Sequence, residues 1–154
     1  MADSVSVQRR SEIMARVKGK HTSPELSVRR MLHAAGYRYR LHVGKLPGKP
    51  DLVFPGRSKV ILINGCFWHR HRGCSLARLP KSRVEFWTEK LERNRQRDAR
   101  NVEALQALGW GVLTVWECEL QDPSELLVRL KQFLDEPSVG SPTSIGFPIH
   151  QKRA

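Results

Sequence analysis

The sequence predicts an α/β domain with a mixed central β-sheet flanked by helices, and three observations carry that expectation. Two stretches place apolar residues at helical spacing: Val28, Met31, Leu32 and Ala35 in one, Trp87, Leu91, Val102 and Leu105 in the other. Between them, Asp51–Phe54 and Lys59–Ile63 read as two short strands joined by Pro55-Gly56-Arg57-Ser58, a turn sequence that suits a hairpin. A further β-rich run, Trp110–Trp116, follows the second helical stretch. The chain has 154 residues, 40% of them hydrophobic and 27% charged, which suits one folded domain with a single core.

Taken in order, Ser6 to Lys20 carries Val7, Ile13, Met14 and Val17 among basic residues and reads as a short basic helix. Ser23-Pro24-Glu25 reads as an N-cap, a proline at the first helical position and an acid on the positive end of the helix dipole; Gly36 ends that helix. Tyr37, Tyr39 and Leu41 alternate with Arg38, Arg40 and His42, the period of a half-buried strand. Leu46-Pro47-Gly48-Lys49-Pro50 breaks it, and the hairpin follows. Its second strand is apolar on both faces, so it is expected at the centre of the sheet. Asn64 to Pro80 is too rich in Gly, His, Arg and Cys for a regular element. Ser82 to Glu85 has a capping-box pattern that opens a long helix closed by Gly109, with Asn94 and Asp98 interrupting its apolar stripe. Asp122-Pro123 starts a last helix with Leu126, Leu127, Leu130, Phe133 and Leu134 inward. The domain is expected over residues 1–135, and residues 136–154, rich in Pro, Gly and Ser, read as a loose tail.

The formal net charge is +12, and it is unevenly placed. Residues 1–100 hold 23 Lys or Arg and 8 Asp or Glu, whereas residues 101–154 hold 4 and 7, so a polyanion-binding surface is expected in the first two thirds. No apolar run approaches the ~20 residues of a spanning helix, and no signal-peptide core opens the chain. Membrane insertion and secretion are therefore not expected, and the three cysteines are expected in a reducing cytosol. Nucleic acid leads as partner.

Four constellations can carry chemistry. Asp51, entering a strand beside a hairpin, is placed as a Mg²⁺ carboxylate is placed, or as the cap of a turn. Cys66, His71, Cys74 and, at the end of the predicted Trp110–Trp116 strand, Cys118 offer three thiolates and an imidazole, a closed tetrahedral Zn²⁺ set, against the alternative of buried free cysteines. Phe67-Trp68-His69 lies in a loop flanked by Arg70, Arg72 and Arg78. The two aromatics are either wedges for a base stack or anchors of the loop, and His69 either moves a proton or packs. Trp87 is a third wedge or, by its helical spacing, core. Finally, the bases along the long helix, Arg83 to Arg100, outnumber its acids, which favours phosphate contacts over a merely solvated face.

These strings, Leu46-Pro-Gly-Lys-Pro-Asp51, Asn64-Gly-Cys-Phe-Trp-His69 with His71 and Cys74, Phe86-Trp87 with Lys90, Asn94 and Asp98, and Val115-Trp-Glu-Cys118, run in order along most of the chain. Together they resemble the very short patch repair (Vsr) mismatch endonucleases. The resemblance implies a restriction-endonuclease-like core and a hydrolase that nicks one strand 5′ to the thymine of a T:G mismatch. It implies double-stranded DNA as partner, a DNA cytosine methyltransferase as functional companion, since deamination of 5-methylcytosine makes such mismatches, and a monomer in the cytoplasm, associated with the nucleoid. By residue match it implies Asp51 and the Ile63 carbonyl as Mg²⁺ ligands, His69 as proton carrier oriented by Asp98, and Glu25 at the same site. Cys66, His71, Cys74 and Cys118 would hold structural zinc. Phe67, Trp68 and Trp87 would enter the duplex beside the mismatch, Met14 would enter from the minor groove, and Lys90 and Asn94 would contact the mismatched pair.

The sequence departs from that pattern in three places. Position 64 is Asn where a well-known branch has a second catalytic histidine; Asn can hydrogen-bond but cannot shuttle a proton. Ile63 replaces a threonine, which matters little to a carbonyl ligand, and His71 and Cys74 have two residues between them. A restriction-type nuclease on the same core would keep Asp51 but would not need the three aromatics. A zinc-stapled DNA-binding module without catalysis is the reading from another class.

Overall fold

The computed structural model describes residues 22–137; the basic segment with Met14, and the tail beyond Pro137, lie outside the described residues. The described elements are α1 (Ser23–Ala34), β1 (Arg40–Leu41), β2 (Leu52–Phe54), β3 (Lys59–Asn64), α2 (Val84–Ala107), β4 (Gly111–Trp116) and α3 (Pro123–Asp135). The sheet order is β1-β2-β3-β4, antiparallel across the first two pairs and parallel between β3 and β4. The mixed sheet and its flanking helices match the expected class.

Side-chain alternation assigns the layers. Leu52, Phe54, Ile61 and Val115 face α1 and α3, where they meet Val28, Leu32, Leu126, Leu130 and Leu134. Val53 and Val60 face the other way, against Leu105 of α2, Trp110 and Leu46. β3 is central, as its two apolar faces required. Arg57 Nη1 donates to Leu134 O at 2.9 Å, and buried Lys59 donates through Nζ to Phe133 O, so two hairpin cations cap the carbonyl end of α3.

Local expectations shift in four places. Thr22, not Ser23, caps α1: its Oγ1 accepts from Glu25 N–H at 3.4 Å, and Ser23 becomes the first helical residue. The strand expected over Tyr37–His42 pairs only at Arg40–Leu41, because Tyr37 turns inward to the core and donates its hydroxyl to Asp135 Oδ1 at 2.8 Å. Arg83, not Ser82, stands at the N-cap of the long helix. α2 begins at Val84 with Arg83 in the left-handed region (φ 56°) and its guanidinium over the Phe86 ring. Cys118 lies not at the end of a strand but in a 3₁₀ turn, Glu117–Gln121, just after β4.

The loop leading to Asp51 is held against α2. Gly48 has φ +75°, and a Cβ there would approach the Asn101 side chain to 2.8 Å. Gly48→Ala is expected to destabilise the fold by about 2 kcal/mol, combining the left-handed penalty with overpacking. Urea denaturation checks it: Asn101→Ala removes Nδ2 and Cγ but leaves Cβ at 3.0 Å, so adding it should recover only part of the steric loss, and full recovery would contradict the backbone contribution.

Candidate active site and metal centre

Both clusters form where strands run out on one side of the sheet, and the register decides which residues meet. β3 and β4 are parallel, with Asn64 opposite Trp116. The same offset carried two residues further sets Cys66 opposite Cys118, whose N–H donates to Cys66 Sγ at 3.4 Å. His71 reaches the pair through the turn in which its N–H donates to Cys66 O, and its Nδ1 lies 3.6 Å from Cys118 Sγ. Cys74 completes the set, with all four ligand atoms within 4.8 Å of one another. Zn–S of about 2.3 Å and Zn–N of about 2.1 Å put sulfur and nitrogen about 3.6 Å apart around a tetrahedron, the separation at which His71 and Cys118 already stand. Burial pushes the Cys66 thiol up to about 12, so binding a cation there must displace a proton. The rings of Trp116 and His71 stack, with centroids 4.1 Å apart and planes 6° apart. That stack, and Glu117 Oε1 accepting the Cys66 N–H at 3.2 Å, went unnoticed in the sequence, although both residues sit in the Val-Trp-Glu-Cys string.

The second cluster gathers at the start of β2, on the same side of the sheet. Antiparallel pairing with β3 brings Asp51 beside the end of that strand, and Asp51 Oδ2 accepts the Ile63 N–H at 2.7 Å. Glu25, from the first turn of α1, is only 2% exposed, and its Oε2 meets Arg29 at 3.5 Å and His42 at 2.8 Å. His42 Nε2 is also 4.0 Å from Asp51 Oδ1, and Glu25, His42 and Asp51 can offer ligand atoms to one centre. His42 was read only as the polar position of a strand. Its place opposite Asp51 depends on a strand register that composition does not reveal.

Two clefts meet at Asp51, Ile63 and His69. In one of them, His69 Nδ1 pairs with Asp98 Oδ2 at 2.5 Å. Asp98 therefore faces the sheet for a polar reason, which accounts for the break in the helical stripe. Asn94 likewise turns inward, donating through Nδ2 to Trp68 O at 3.1 Å; Lys90 is half-buried one turn earlier. Lys49 and Arg95 edge one cleft and Arg97 the other. The aromatics form a single edge-to-face cluster, with Phe67–Trp68 centroids 5.0 Å apart and Phe67–Trp87 5.5 Å. Trp87 is 6% exposed and forms the floor beneath the half-buried Phe67 and Trp68. The core reading of its helical spacing, rather than that of a presented wedge, matches this geometry.

Burial pushes the Asp51 carboxyl from 3.8 up to about 6, opposed by the Ile63 N–H and reinforced by the Glu25 carboxylate. Between those values the folded chain holds more protons on Asp51 than the unfolded chain does. Its contribution to stability therefore falls as pH rises through that window, by on the order of 2 kcal/mol. With zinc as the sole divalent ion, the urea midpoint is expected to carry this falling component from pH 4 to pH 6. Millimolar Mg²⁺ should flatten it; a slope indifferent to Mg²⁺ would contradict the assignment to Asp51.

A buried and a half-buried carboxylate, a carboxylate-paired histidine and cleft edges carrying Lys and Arg form machinery suited to a phosphodiester. Comparison with known proteins points the same way. The family model described as DNA mismatch endonuclease Vsr matches residues 2–75. The chain is 51% identical over 135 residues to the type II nicking enzyme V.XorIIP of Xanthomonas oryzae pv. oryzae, covering 88% of this chain and 98% of that protein. It is 40% identical over 126 residues to the DNA mismatch endonuclease Vsr of Escherichia coli K12, covering 82% and 80%. Against the type II nicking enzyme V.NmeAIP of Neisseria meningitidis it is 38% identical over 136 residues, covering 88% and 96%. The protein is a DNA endonuclease. Within that class it belongs to the DNA mismatch endonuclease Vsr family. No helix among the described residues is long and apolar enough to cross a membrane.

Proposed function

We propose that this endonuclease nicks one strand of duplex DNA 5′ to the thymine of a T:G mismatch, in a reaction that depends on Mg²⁺. The observation that carries the reading is the convergence of Asp51, Glu25 and the His69–Asp98 pair at the junction of two clefts, beside a loop that presents Phe67 and Trp68. We read the four-stranded mixed sheet as a restriction-endonuclease-like core, with Asp51 where that fold holds its metal carboxylate.

Asp51 and the Ile63 carbonyl would hold Mg²⁺, which when bound neutralises charge developing on the phosphate oxygens and makes bound water a better nucleophile. With His69 Nδ1–H donated to Asp98, Nε2 is left as the acceptor, so His69 can take a proton from the attacking water or return one to the leaving oxygen. Asp98 fixes that tautomer and the ring orientation. Glu25 holds negative charge beside Asp51 and favours a cation there. Asn64 can hydrogen-bond but cannot carry a proton, so position 64 supplies no second acid–base imidazole and the proton transfer falls to His69. Cys66, His71, Cys74 and Cys118 would hold a structural zinc that ties the 65–74 loop, and with it Phe67 to His69, to the end of β4.

Phe67 and Trp68 would enter the stack beside the mismatch, where a wobble pair is cheaper to unstack than a matched pair. Trp87 supports them from below and joins the duplex contact if the cluster opens. Lys90 and Asn94 would contact the mismatched pair, and Met14 would approach from the minor groove. The excess positive charge of residues 1–100 would hold the phosphates. The substrate is the product of 5-methylcytosine deamination, which makes a DNA cytosine methyltransferase the functional companion of a monomeric protein acting in the cytoplasm on the nucleoid. The relatives named as nicking enzymes favour a single-strand cut over a double-strand one.

The test is a rate comparison on two duplexes that differ only in T:G against T:A. The expected result is cleavage of T:G at least about 100-fold faster, a difference of about 2.7 kcal/mol. Equal rates would point to a nuclease for matched DNA.

A further inference from the structure

His42 lies beside the Asp51 cluster without a role in the reaction above. Its position follows from the sheet: Leu41 pairs with Leu52, so the next position sets His42 opposite Asp51, and His42 N–H donates to Asp51 O at 3.2 Å. Side chains directly across an antiparallel pair project from the same face. The backbone there is left-handed, φ 45°, a conformation that a residue with a Cβ adopts at a cost and that concentrates at functional sites. His42 Nε2 is 2.8 Å from Glu25 Oε2 and 4.0 Å from Asp51 Oδ1. Three separate elements, the first turn of α1, the end of β1 and the entry to β2, thus bring three donor atoms within 4.8 Å of one another. Around a six-coordinate cation with bonds of about 2.1 Å, adjacent donors lie about 3.0 Å apart and opposite ones about 4.2 Å, close to the 2.8 Å and 4.0 Å found here.

We propose that His42 is a protein ligand of the cation at Asp51, completing with Glu25 a set of one imidazole and two carboxylates that binds Mn²⁺ in preference to Mg²⁺. The inference rests on the reading of Asp51 as a metal carboxylate. Mg²⁺ prefers oxygen donors and keeps its water, whereas cations of intermediate softness accept an imidazole readily. A His42 that only orients Glu25 through a hydrogen bond would place no nitrogen on the metal.

The test uses the zinc-loaded full chain titrated with Mn²⁺ alone, in the absence of DNA, followed by electron paramagnetic resonance with electron spin-echo modulation. The expected result is one Mn²⁺ site with a directly bound ¹⁴N signal that disappears in His42→Asn and persists in His69→Gln. Asn tolerates the left-handed backbone, and His42→Gln serves as a second variant if needed. Mn²⁺ affinity should fall about tenfold or more in His42→Asn, while Mg²⁺, measured by competition, changes by less than about twofold. Absence of ¹⁴N modulation in the parent, or its persistence in both His42 variants, would overturn the proposal. Asp51→Ala separates the two claims: unchanged Mn²⁺ affinity there would sink the Asp51 reading itself, whereas lost affinity with nitrogen retained in the His42 variants sinks only the role of His42.

Discussion

Asp51→Ala is expected to lower nicking of a T:G duplex by at least about 10³-fold, about 4 kcal/mol of transition-state stabilisation, while duplex binding is retained. The asymmetry comes from where the group sits. Asp51 is one carboxylate in a field set by the 23 cations of residues 1–100, so removing it costs little affinity for phosphate. Burial also makes its charge costly to the folded chain, pushing the carboxyl up to about 6. Asp51→Asn, which can still accept the Ile63 N–H, should therefore raise the metal-free melting temperature at pH 7 while abolishing nicking. Gel-shift, single-turnover cleavage and thermal melting read the three effects separately. A variant that nicks within tenfold of the parent would remove Asp51 from the reaction.

Cys118→Ala carries the second large effect. Metal binding at a Cys₃His set is coupled to folding, and the cluster here is the cross-link between β4 and a loop with little other regular structure. The parent is expected to contain one zinc per chain. Cys118→Ala should lose that zinc and at least about 3 kcal/mol of stability. It should also lower nicking, because Phe67, Trp68 and His69 lie between two of the ligands. Elemental analysis with urea denaturation checks it; a zinc-free parent, or a variant of unchanged stability, would leave the cysteines as buried thiols.

The difference between what was legible in the sequence and what was not follows from the range of each interaction. The zinc-type set announced itself because Cys and His side chains together have few other uses, and Asp98 did so because a polar residue in an apolar stripe needs a partner. The central place of β3 followed from Val60, Ile61 and Ile63 being apolar without alternation. What failed was decided by geometry that a local pattern leaves open. Ser82 has the residue type for a cap, but the chain turns at Arg83, whose guanidinium covers Phe86 instead. Tyr37 has the alternation of a strand, yet its hydroxyl is committed to Asp135, ninety-eight residues away. His42 gave no signal at all, because its meaning comes from the residue across the sheet.

Single-turnover cleavage of a T:G duplex labelled on each strand in turn, with the cut mapped at nucleotide resolution, reads both the strand and the position of the break. The predicted result is one Mg²⁺-dependent break, 5′ to the mismatched thymine, with the guanine strand intact. Breaks in both strands, or a cut whose position ignores the mismatch, would contradict it.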